Sequence, residues 1–315
     1  MSSLTCVIGG NGFLGHALVE RLIQSGRNVR VLGRSLTHQI PVSGCVGYFS
    51  GNYGHLEVLE RFLDSANEVV DLAYSTVPKT SFEDPAFDIM TNLPQAVQLY
   101  QYLSTTTIKK LVVVSSGGTV YGKADYFPID EIHPTQPISP YGITKLAIEK
   151  YASMYYQLYN LPVICARPSN AYGEGQVANR GQGFISTAIG TTLEKGTIQI
   201  YGANGTVRDY VHVRDIAAAI EALLDNGKAG EVYNIGTGIG HSNLGIVNII
   251  RSCAEQAGFS VEVTNTEARK YDVAINILDC AKIRKDTGWE PRTVLKEGIQ
   301  NMWEYSLRKH RGVEL

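Results

Sequence analysis

The segment LTCVIGGNGFLG, residues 4–15, decides the fold of this chain. Its first five residues form a short apolar run typical of a buried parallel strand, and apolar residues then recur at helical spacing until Gly26. The glycines therefore lie in a turn between a strand and a helix. In such a turn the first glycine of the G-x-x-G-x-x-G pattern permits the tight bend, the second lets the backbone approach a pyrophosphate, and the third lets the helix pack on the sheet. This context favours a dinucleotide site over a flexible loop without a ligand, and the expected contacts are Gly9, Gly12, Phe13, Leu14 and Gly15.

The next strand, over residues 28–32, ends at Gly33-Arg34-Ser35 without a carboxylate. An acidic residue at this point would accept hydrogen bonds from the ribose hydroxyls of NAD, whereas an arginine beside a serine can hold the 2′-phosphate of NADP. We therefore expect tightly bound NAD or NADP, and Arg34 and Ser35 favour NADP. The alternative is that Arg34 only stacks on the adenine from a solvated loop.

Length and composition restrict the class of protein. A chain of 315 residues can bury a large core, and a formal net charge of −2 suggests no nucleic-acid partner. No stretch approaches the ~18 apolar residues of a membrane span, and the opening segment lacks the features of a signal peptide, so we expect a cytoplasmic protein without a membrane partner. The five cysteines lack disulfide or zinc-ligand spacing, so we expect small core side chains and no metal site.

Strand and helix patterns alternate along most of the chain, which predicts an α/β fold with a doubly wound parallel sheet and a smaller C-terminal α/β substrate lobe. We expect a dinucleotide-binding domain at 1–167 with a returning segment near 210–236, and a substrate-binding lobe at 168–209 and 237–315. The predicted elements after the first unit are strands at 68–73, 111–115, 162–166 and 231–235 and helices at 85–103 and 140–159.

Tyr141 and Lys145 are one helical turn apart at the start of the predicted helix over 140–159. A tyrosine hydroxyl has a pKa near ~10, and a lysine ammonium one turn away favours the phenolate. Tyr141 would then take a proton from a sugar hydroxyl while a hydride passes to a nicotinamide, and Lys145 would also hold the nicotinamide ribose. The alternative is an ordinary tyrosine–lysine pair on a solvated helix face.

A series of motifs resembles the extended short-chain dehydrogenases/reductases, and within them the NAD-dependent epimerase/dehydratase family, closest to UDP-hexose 4-epimerases. The motifs are SSGGTVYG (115–122), SPYGITK (139–145), RPSNAYG (167–173), RDYVHVRD (208–215), YNIGTG (233–238) and TGWEP (287–291). The resemblance covers practically the whole chain. It implies transient oxidation at C4 of a UDP-linked sugar, rotation of the 4-keto intermediate, and return of the hydride to the opposite face, in a glycan or surface-polysaccharide pathway.

The resemblance also implies roles for individual residues. Asn170 would contact the substrate diphosphate, and Arg208 and Arg269 would clamp it between two guanidinium groups. Lys79 would reach the nicotinamide ribose or a substrate phosphate. The remaining substrate candidates are Gln199 and Tyr201 near the base, Asp272 near its ribose, and Asn276 in the sugar pocket. The further cofactor candidates are Asn52, Ala73, Asn92 and Ser115.

One position departs from the family pattern. The catalytic serine or threonine that assists the tyrosine falls at Gly117, so Ser116 or Thr119 would have to replace it, with Ser115 or a water as further alternatives. Asn276 lies where the family limits the room beside C2 of the sugar. Because asparagine is smaller than tyrosine, we expect activity on UDP-GlcNAc/GalNAc as well as UDP-Glc/Gal, unless Asn276 faces solvent.

Other activities can be weighed on the same residues. A 4,6-dehydratase would need an Asp-Glu pair where this chain has Gly117-Gly118, which argues against that reaction. An NADPH-dependent 4-keto-sugar reductase needs only Tyr141 and Lys145, and Arg34 keeps it as the main alternative. A non-catalytic dinucleotide-sensing protein would usually lack the pair. Four tyrosines on the helix over 140–159 predict a homodimer that packs through this helix, namely Tyr151, Tyr155, Tyr156 and Tyr159.

Overall fold

The computed structural model describes residues 3–35, 45–178, 182–267 and 273–312. The strands are β1 (Leu4–Ile8), β2 (Asn28–Gly33), β3 (Cys45–Ser50), β4 (Glu68–Asp71), β5 (Lys110–Val114), β6 (Val163–Pro168), β7 (Asn170–Tyr172), β8 (Thr197–Tyr201), β9 (Val207–His212), β10 (Val232–Ile235), β11 (Gly240–Ser242), β12 (Glu262–Thr266) and β13 (Ile275–Asn276). The helices are α1 (Phe13–Gln24), α2 (Leu56–Leu63), α3 (Pro78–Glu83), α4 (Pro85–Leu103), α5 (Pro140–Tyr159), α6 (Phe184–Leu193), α7 (Val213–Asn226), α8 (Asn243–Gln256), α9 (Ala281–Thr287) and α10 (Leu295–His310).

Seven parallel strands form the main sheet, in the order β10-β6-β5-β4-β1-β2-β3. Strands β4 and β6 are buried along their whole length, as expected for strands covered on both faces. Separate apolar clusters cover the two faces, one including side chains of α1 and α7 and the other including side chains of α4 and α5. The predicted doubly wound parallel sheet is confirmed.

Strand β1 lies between β2 and β4. Strands β2 and β3 are added on one side of β1 and strands β4, β5 and β6 on the other, so the order of the strands reverses at β1. In open parallel sheets, ligands bind beyond the carboxyl ends of the strands at this switch point. The glycine turn between β1 and α1 lies there, and so do the residues that follow β4 and β5. The fold therefore brings the predicted cofactor residues to one edge of the sheet.

The C-terminal half adds two smaller sheets. Strands β11, β9 and β13 form one, with β7 paired to β9, and β8 pairs with β12. Helices α6, α8 and α10 pack around a third apolar cluster beside them. Strand β10 lies in the main sheet beside β6, although it follows β7 to β9 in the chain. The division into two domains at the predicted boundaries stays a prediction.

Three elements of the first half did not follow from the sequence analysis: β3, α2 and α3. Helix α3 begins at Pro78, which suits a first helical position because proline has no backbone N–H to leave unpaired. This short helix matters for the site, since it forms part of the wall beside α5. Among the helices of the described ranges, none is both long and apolar enough to cross a membrane.

Candidate active site

The turn after β1 has no room for side chains at its glycines. Gly9 has a φ of +79°, and a Cβ there would lie 3.0 Å from the backbone nitrogen of Ala73. A Cβ on Gly15 would lie 2.4 Å from the carbonyl oxygen of Gly9, so the helix can approach the turn only with glycine at this position. Gly12 precedes α1 and no side chain caps its first turn, which leaves N–H groups of Phe13 and Leu14 without intrahelical partners. The turn fits a dinucleotide pyrophosphate.

The end of β2 carries a hydrogen-bonded chain that the sequence analysis did not foresee. The Asn11 side-chain amide donates to the hydroxyl of Tyr48 (2.8 Å), which donates to the carbonyl oxygen of Ser35 (2.6 Å). A Cβ on Gly33 would lie 2.7 Å from the Tyr48 hydroxyl oxygen. Tyr48 therefore fills the space that a carboxylate at position 33 would need, while Arg34 and Ser35 lie exposed beside it.

The other predicted cofactor residues lie around the same edge of the sheet. The Asn92 amide is buried and already paired, since its oxygen accepts from the backbone N–H of Ser75 (2.7 Å) and its nitrogen donates to the carbonyl oxygen of Asp88 (2.7 Å). Asn92 thus shapes the loop after β4. The hydroxyl of Ser115 is buried at the end of β5 without a hydrogen-bond partner. Ala73 approaches the glycine turn, and Asn52 lies exposed with its side-chain oxygen accepting from the backbone N–H of Gly54 (3.0 Å).

Tyr141 and Lys145 lie in the first turns of α5, which begins at the cap formed by the Ser139 hydroxyl. The backbone N–H of Tyr141 donates to the hydroxyl of Ser81 in α3 (3.1 Å), which fixes this turn against that helix. The Lys145 ammonium is buried, donates to the carbonyl oxygen of Val114 (2.7 Å) and lies 5.8 Å from the centre of the Tyr141 ring. The predicted pair is therefore buried.

Burial governs the protonation of this pair. It raises the pKa of Tyr141, and the nearby Asp88 carboxylate raises it further. Burial lowers the pKa of Lys145 to about 8, against the opposing effects of Asp71, Glu149 and Asp88. It raises the pKa of Asp71 to about 6, although the Ala73 N–H and Lys145 favour the carboxylate. Of the groups around this pair only the Lys145 ammonium would favour a Tyr141 phenolate, because burial and the Asp88 carboxylate both favour the neutral phenol.

A cavity of about 740 Å³ opens beside Tyr141 and extends to the smaller sheets. Six of the predicted site residues line it: Lys79, Ser116, Thr119, Tyr141, Asn170 and Arg208. Lys79 belongs to α3, and Asn170 and Arg208 belong to the paired strands β7 and β9. Gln199 and Tyr201 are absent from the described lining; they lie on β8, where the tyrosine hydroxyl donates to the glutamine side-chain oxygen (3.1 Å).

The loop after β5 explains the glycine at the family's serine position. A Cβ on Gly117 would lie 2.5 Å from Cδ1 of Leu278 and 2.8 Å from the carbonyl oxygen of Arg167, so a hydroxyl-bearing side chain does not fit there. Ser116 and Thr119 both line the cavity, and the Thr119 hydroxyl is buried without a partner. Both remain candidates for the assisting hydroxyl.

Asn276 is only 1% exposed, so it does not face solvent. Its side-chain amide donates to the carbonyl oxygen of Gly117 (3.1 Å), its own oxygen has no partner, and it is absent from the described cavity lining. The structure therefore places Asn276 behind the loop rather than in the wall of the cavity. Arg269 and Asp272 lie outside the described residues.

Three further polar residues in or near the site were missed by sequence reasoning. Ser169 and Tyr210 line the cavity with buried hydroxyls that have no partners, and Tyr74 packs against both Tyr141 and Lys145. Ser169 and Tyr210 belong to the quoted motifs RPSNAYG and RDYVHVRD, next to residues that had been assigned. Their positions in these motifs could have indicated that Ser169 and Tyr210 also belong to the site.

The family model described as NAD dependent epimerase/dehydratase family matches residues 5–236. A putative UDP-glucose 4-epimerase of Methanocaldococcus jannaschii is 31% identical over 97% of this chain and 99% of its own length. The UDP-glucose 4-epimerase of Mycolicibacterium smegmatis is also 31% identical, over 97% of this chain and 99% of its own length.

Solved structures agree with these relatives. The UDP-glucose 4-epimerase of Thermotoga maritima with UDP-glucose superposes with a TM-score of 0.90 at 30% identity, over 97% of this chain and 99% of that one. The Thermus thermophilus UDP-glucose 4-epimerase in complex with NAD gives 0.86 at 30% identity, over 99% of this chain and 100% of that one. The chain therefore belongs to the NAD-dependent epimerase/dehydratase family.

Proposed function

We propose that this protein is a nucleotide-sugar 4-epimerase that interconverts UDP-glucose and UDP-galactose through a 4-keto intermediate. The observation that carries the proposal is Tyr141, which lines a cavity together with Asn170 and Arg208 and lies beside the buried ammonium of Lys145. A phenol beside a buried ammonium provides proton transfer. An amide and a guanidinium can hold a diphosphate. Relatives named UDP-glucose 4-epimerase support the choice of reaction.

The residues of the chain act on the substrate hydroxyl and on its phosphates. The glycine turn after β1 and Lys145 would hold a nicotinamide dinucleotide, whose chemistry there would be reversible hydride transfer at C4 of the sugar. The Tyr141 oxygen takes the proton of the C4 hydroxyl and gives it back, and Lys145 holds the positive charge that favours the phenolate. The hydroxyl of Thr119 or Ser116 donates a hydrogen bond to the sugar C4 oxygen. Arg208 and Asn170 hold the diphosphate while the sugar turns.

NADP is the cofactor that the end of β2 suits better. Position 33 is a glycine packed under the Tyr48 hydroxyl, so no carboxylate is available for a ribose 2′-hydroxyl. Arg34 and Ser35 are exposed at the same place and can hold a 2′-phosphate. A solved relative bound to NAD supports NAD instead, and the two cofactors are distinguished by the experiment below.

The substrate range includes acetamido sugars in this proposal. Asn276 is the residue that the family resemblance assigns to the space beside C2, and its small side chain lies behind the Gly117 loop, next to the cavity wall rather than in it. Its buried oxygen lacks a partner and could accept a hydrogen bond from an acetamido N–H that reached it. UDP-GlcNAc and UDP-GalNAc are therefore expected substrates beside the plain hexoses.

A second candidate function is an NADPH-dependent reductase of a nucleotide-linked 4-keto sugar. Arg34 favours it, because a reductase consumes NADPH whereas an epimerase regenerates its oxidised cofactor within each cycle. The Tyr141–Lys145 pair would then protonate the oxygen of the 4-keto group. The state of the cofactor in the purified protein separates the two activities.

The test combines cofactor identification with substitution of the tyrosine. Denaturing the purified protein should release an oxidised dinucleotide, whose 2′-phosphate content identifies NADP or NAD. The protein should interconvert UDP-galactose and UDP-glucose without added cofactor. Tyr141→Phe should lower turnover by about a hundredfold or more while keeping the dinucleotide, because proton transfer contributes about that much. Tyr102→Phe, on α4, serves as the matched control. Full activity of Tyr141→Phe, or a need for added NADPH, would contradict the epimerase proposal.

A further inference from the structure

Tyr74 lies in the loop after the carboxyl end of β4, next to the Tyr141–Lys145 pair. The Lys145 nitrogen lies over the face of the Tyr74 ring, 4.1 Å from its centre, which is closer than its 5.8 Å to the Tyr141 ring. The Tyr74 ring also meets the Tyr141 ring edge to face, with centres 4.8 Å apart and an angle of 66° between the planes. One aromatic ring therefore contacts both members of the pair.

A buried carboxylate fixes the orientation of that ring. The Tyr74 hydroxyl donates to the two oxygens of Asp88, at 3.2 and 3.3 Å, and the Thr76 hydroxyl donates to the same carboxylate. Asp88 is fully buried in α4. A phenol that donates to a carboxylate gains electron density, and an electron-rich ring attracts a cation more strongly through its face. The network therefore strengthens the contact between the ring and Lys145.

We infer that Tyr74 is a positioning residue for Lys145: its ring face binds the ammonium and, with the Val114 carbonyl, holds it beside Tyr141. The inference rests on the proposed function, in which Lys145 must carry a positive charge. A hydrogen bond to one carbonyl oxygen leaves the other two donors of the ammonium free to turn. The ring face restricts that motion and compensates for lost hydration.

The charged groups around Lys145 determine whether loss of the Tyr74 ring should raise or lower the pKa of Lys145. Asp71 from β4, Asp88 from α4 and Glu149 from α5 act on the ammonium, and Glu149 is itself paired with Arg167 (2.6 Å). Burial opposes all three carboxylates and lowers the pKa of Lys145. The attraction of the Tyr74 ring acts with the carboxylates, because it stabilises only the charged form. Removing the ring should therefore lower the pKa of Lys145 further.

The test measures this pKa directly and follows turnover in parallel. In protein with carbon-labelled lysine, NMR titration of the Lys145 signal should show a pKa lower by about half to one pH unit in Tyr74→Leu than in the wild type. The alkaline limit of kcat for UDP-galactose should move down by the same amount, with KM nearly unchanged. Tyr74→Phe keeps the ring, so the pKa of Lys145 in this variant should stay close to the wild-type value. Tyr102→Leu, a tyrosine on α4 that is only partly buried, is the matched control.

A graded series covers the case in which Tyr74→Leu does not fold. Mono- and trifluorinated phenylalanine at position 74 keep the shape of the ring and make its face progressively less negative. The Lys145 pKa should fall stepwise along the series. An unchanged pKa in both Tyr74→Leu and the fluorinated proteins would overturn the inference, even where Tyr141→Phe abolishes turnover as the proposed function requires. A fully active Tyr141→Phe would instead refute the proposed function while the titration of Lys145 still reports on Tyr74.

Discussion

Gly117 and Gly118 are neighbours in the loop after β5 but differ in what surrounds them. A Cβ on Gly117 would meet Cδ1 of Leu278 at 2.5 Å and a backbone oxygen at 2.8 Å, whereas the nearest atom to a Cβ on Gly118 is Oδ1 of Asn170 at 3.6 Å. Gly117→Ala should therefore destabilise the protein by about 1–3 kcal/mol, the usual cost of overpacking. Gly118→Ala should cost less than about 1 kcal/mol. Urea unfolding of both variants measures the difference, and equal losses would contradict this explanation of the missing serine.

Asp71 should make stability depend on pH in a predictable direction. Burial raises the pKa of its carboxyl from 3.8 to about 6 in the folded protein. Its stabilising contribution is therefore complete below about pH 4 and is lost as the pH rises through about 6, by up to about 3 kcal/mol. Asp71→Asn removes this dependence, so the unfolding free energy of the wild type minus that of the variant should fall between about pH 4 and pH 7.

Urea unfolding across this pH range tests the prediction for Asp71. Asp125→Asn removes an exposed carboxyl and should leave the slope of the wild type unchanged. A constant difference between wild type and Asp71→Asn would show that the buried carboxyl has an ordinary pKa.

Among the elements, the short strand β13 connects the small sheet to the loop after β5 that contains Gly117. It pairs with β9 so that Asn276 lies opposite Arg208, and the Asn276 amide donates to the carbonyl oxygen of Gly117. Asn276→Leu keeps the approximate size but leaves that buried oxygen without this donor, which should cost about 1–3 kcal/mol of stability. If the amide also contacts an acetamido group, turnover of UDP-GalNAc should fall more than turnover of UDP-galactose.

The comparison of the two substrates in Asn276→Leu separates two roles of this residue. A selective loss with the acetamido sugar supports the proposed substrate range. An equal loss of turnover with both sugars would show that Asn276 only stabilises the loop that contains Gly117.

Local patterns in the sequence were sufficient for β1, α1, β2, α4 and α5, whose apolar spacing and end signals agree with the bounds in the structure. The alternation of strand and helix patterns along the chain was sufficient to predict the parallel sheet. The contacts of Tyr74 and Asn276 were not predictable in this way. Each depends on residues distant in the chain, such as the 159 positions between Gly117 and Asn276, and no local pattern encodes such a contact.

At the scale of the whole molecule, the path of the chain connects the main sheet to the small sheet that carries Asn170 and Arg208. The chain leaves the main sheet after β6, builds β7 and β9 with Asn170 and Arg208, and returns as β10 beside β6. The buried Asp209 in β9 accepts hydrogen bonds from the backbone N–H groups of Thr237 and Gly238 just beyond β10. The small sheet is thereby anchored to the edge of the large one, which keeps Asn170 and Arg208 at a fixed place relative to Tyr141.

The outer faces of α4 and α5 carry apolar side chains that the single chain leaves exposed. Met90 on α4 and Leu158 on α5 are 69% and 66% exposed, and the Tyr151 and Tyr159 rings lie partly exposed on α5. Of the other two tyrosines used to predict a dimer, Tyr155 packs against Tyr100 in the core, whereas Tyr156 packs over Gly230 and is as exposed as Tyr151. We propose that two copies of the chain pack through α4 and α5, because monomeric proteins rarely expose such patches.

Charge placed on these faces should separate the copies. The double variant Met90→Glu/Leu158→Glu would bury two carboxylates in each half of the interface, so it should be monomeric at micromolar concentration when the wild type is dimeric. Light scattering measures both masses. Ile132→Glu changes an 88% exposed side chain outside these helices and should leave the dimer intact. A monomeric wild type would contradict the proposed dimer, and a double variant that stays dimeric would place the interface on another face.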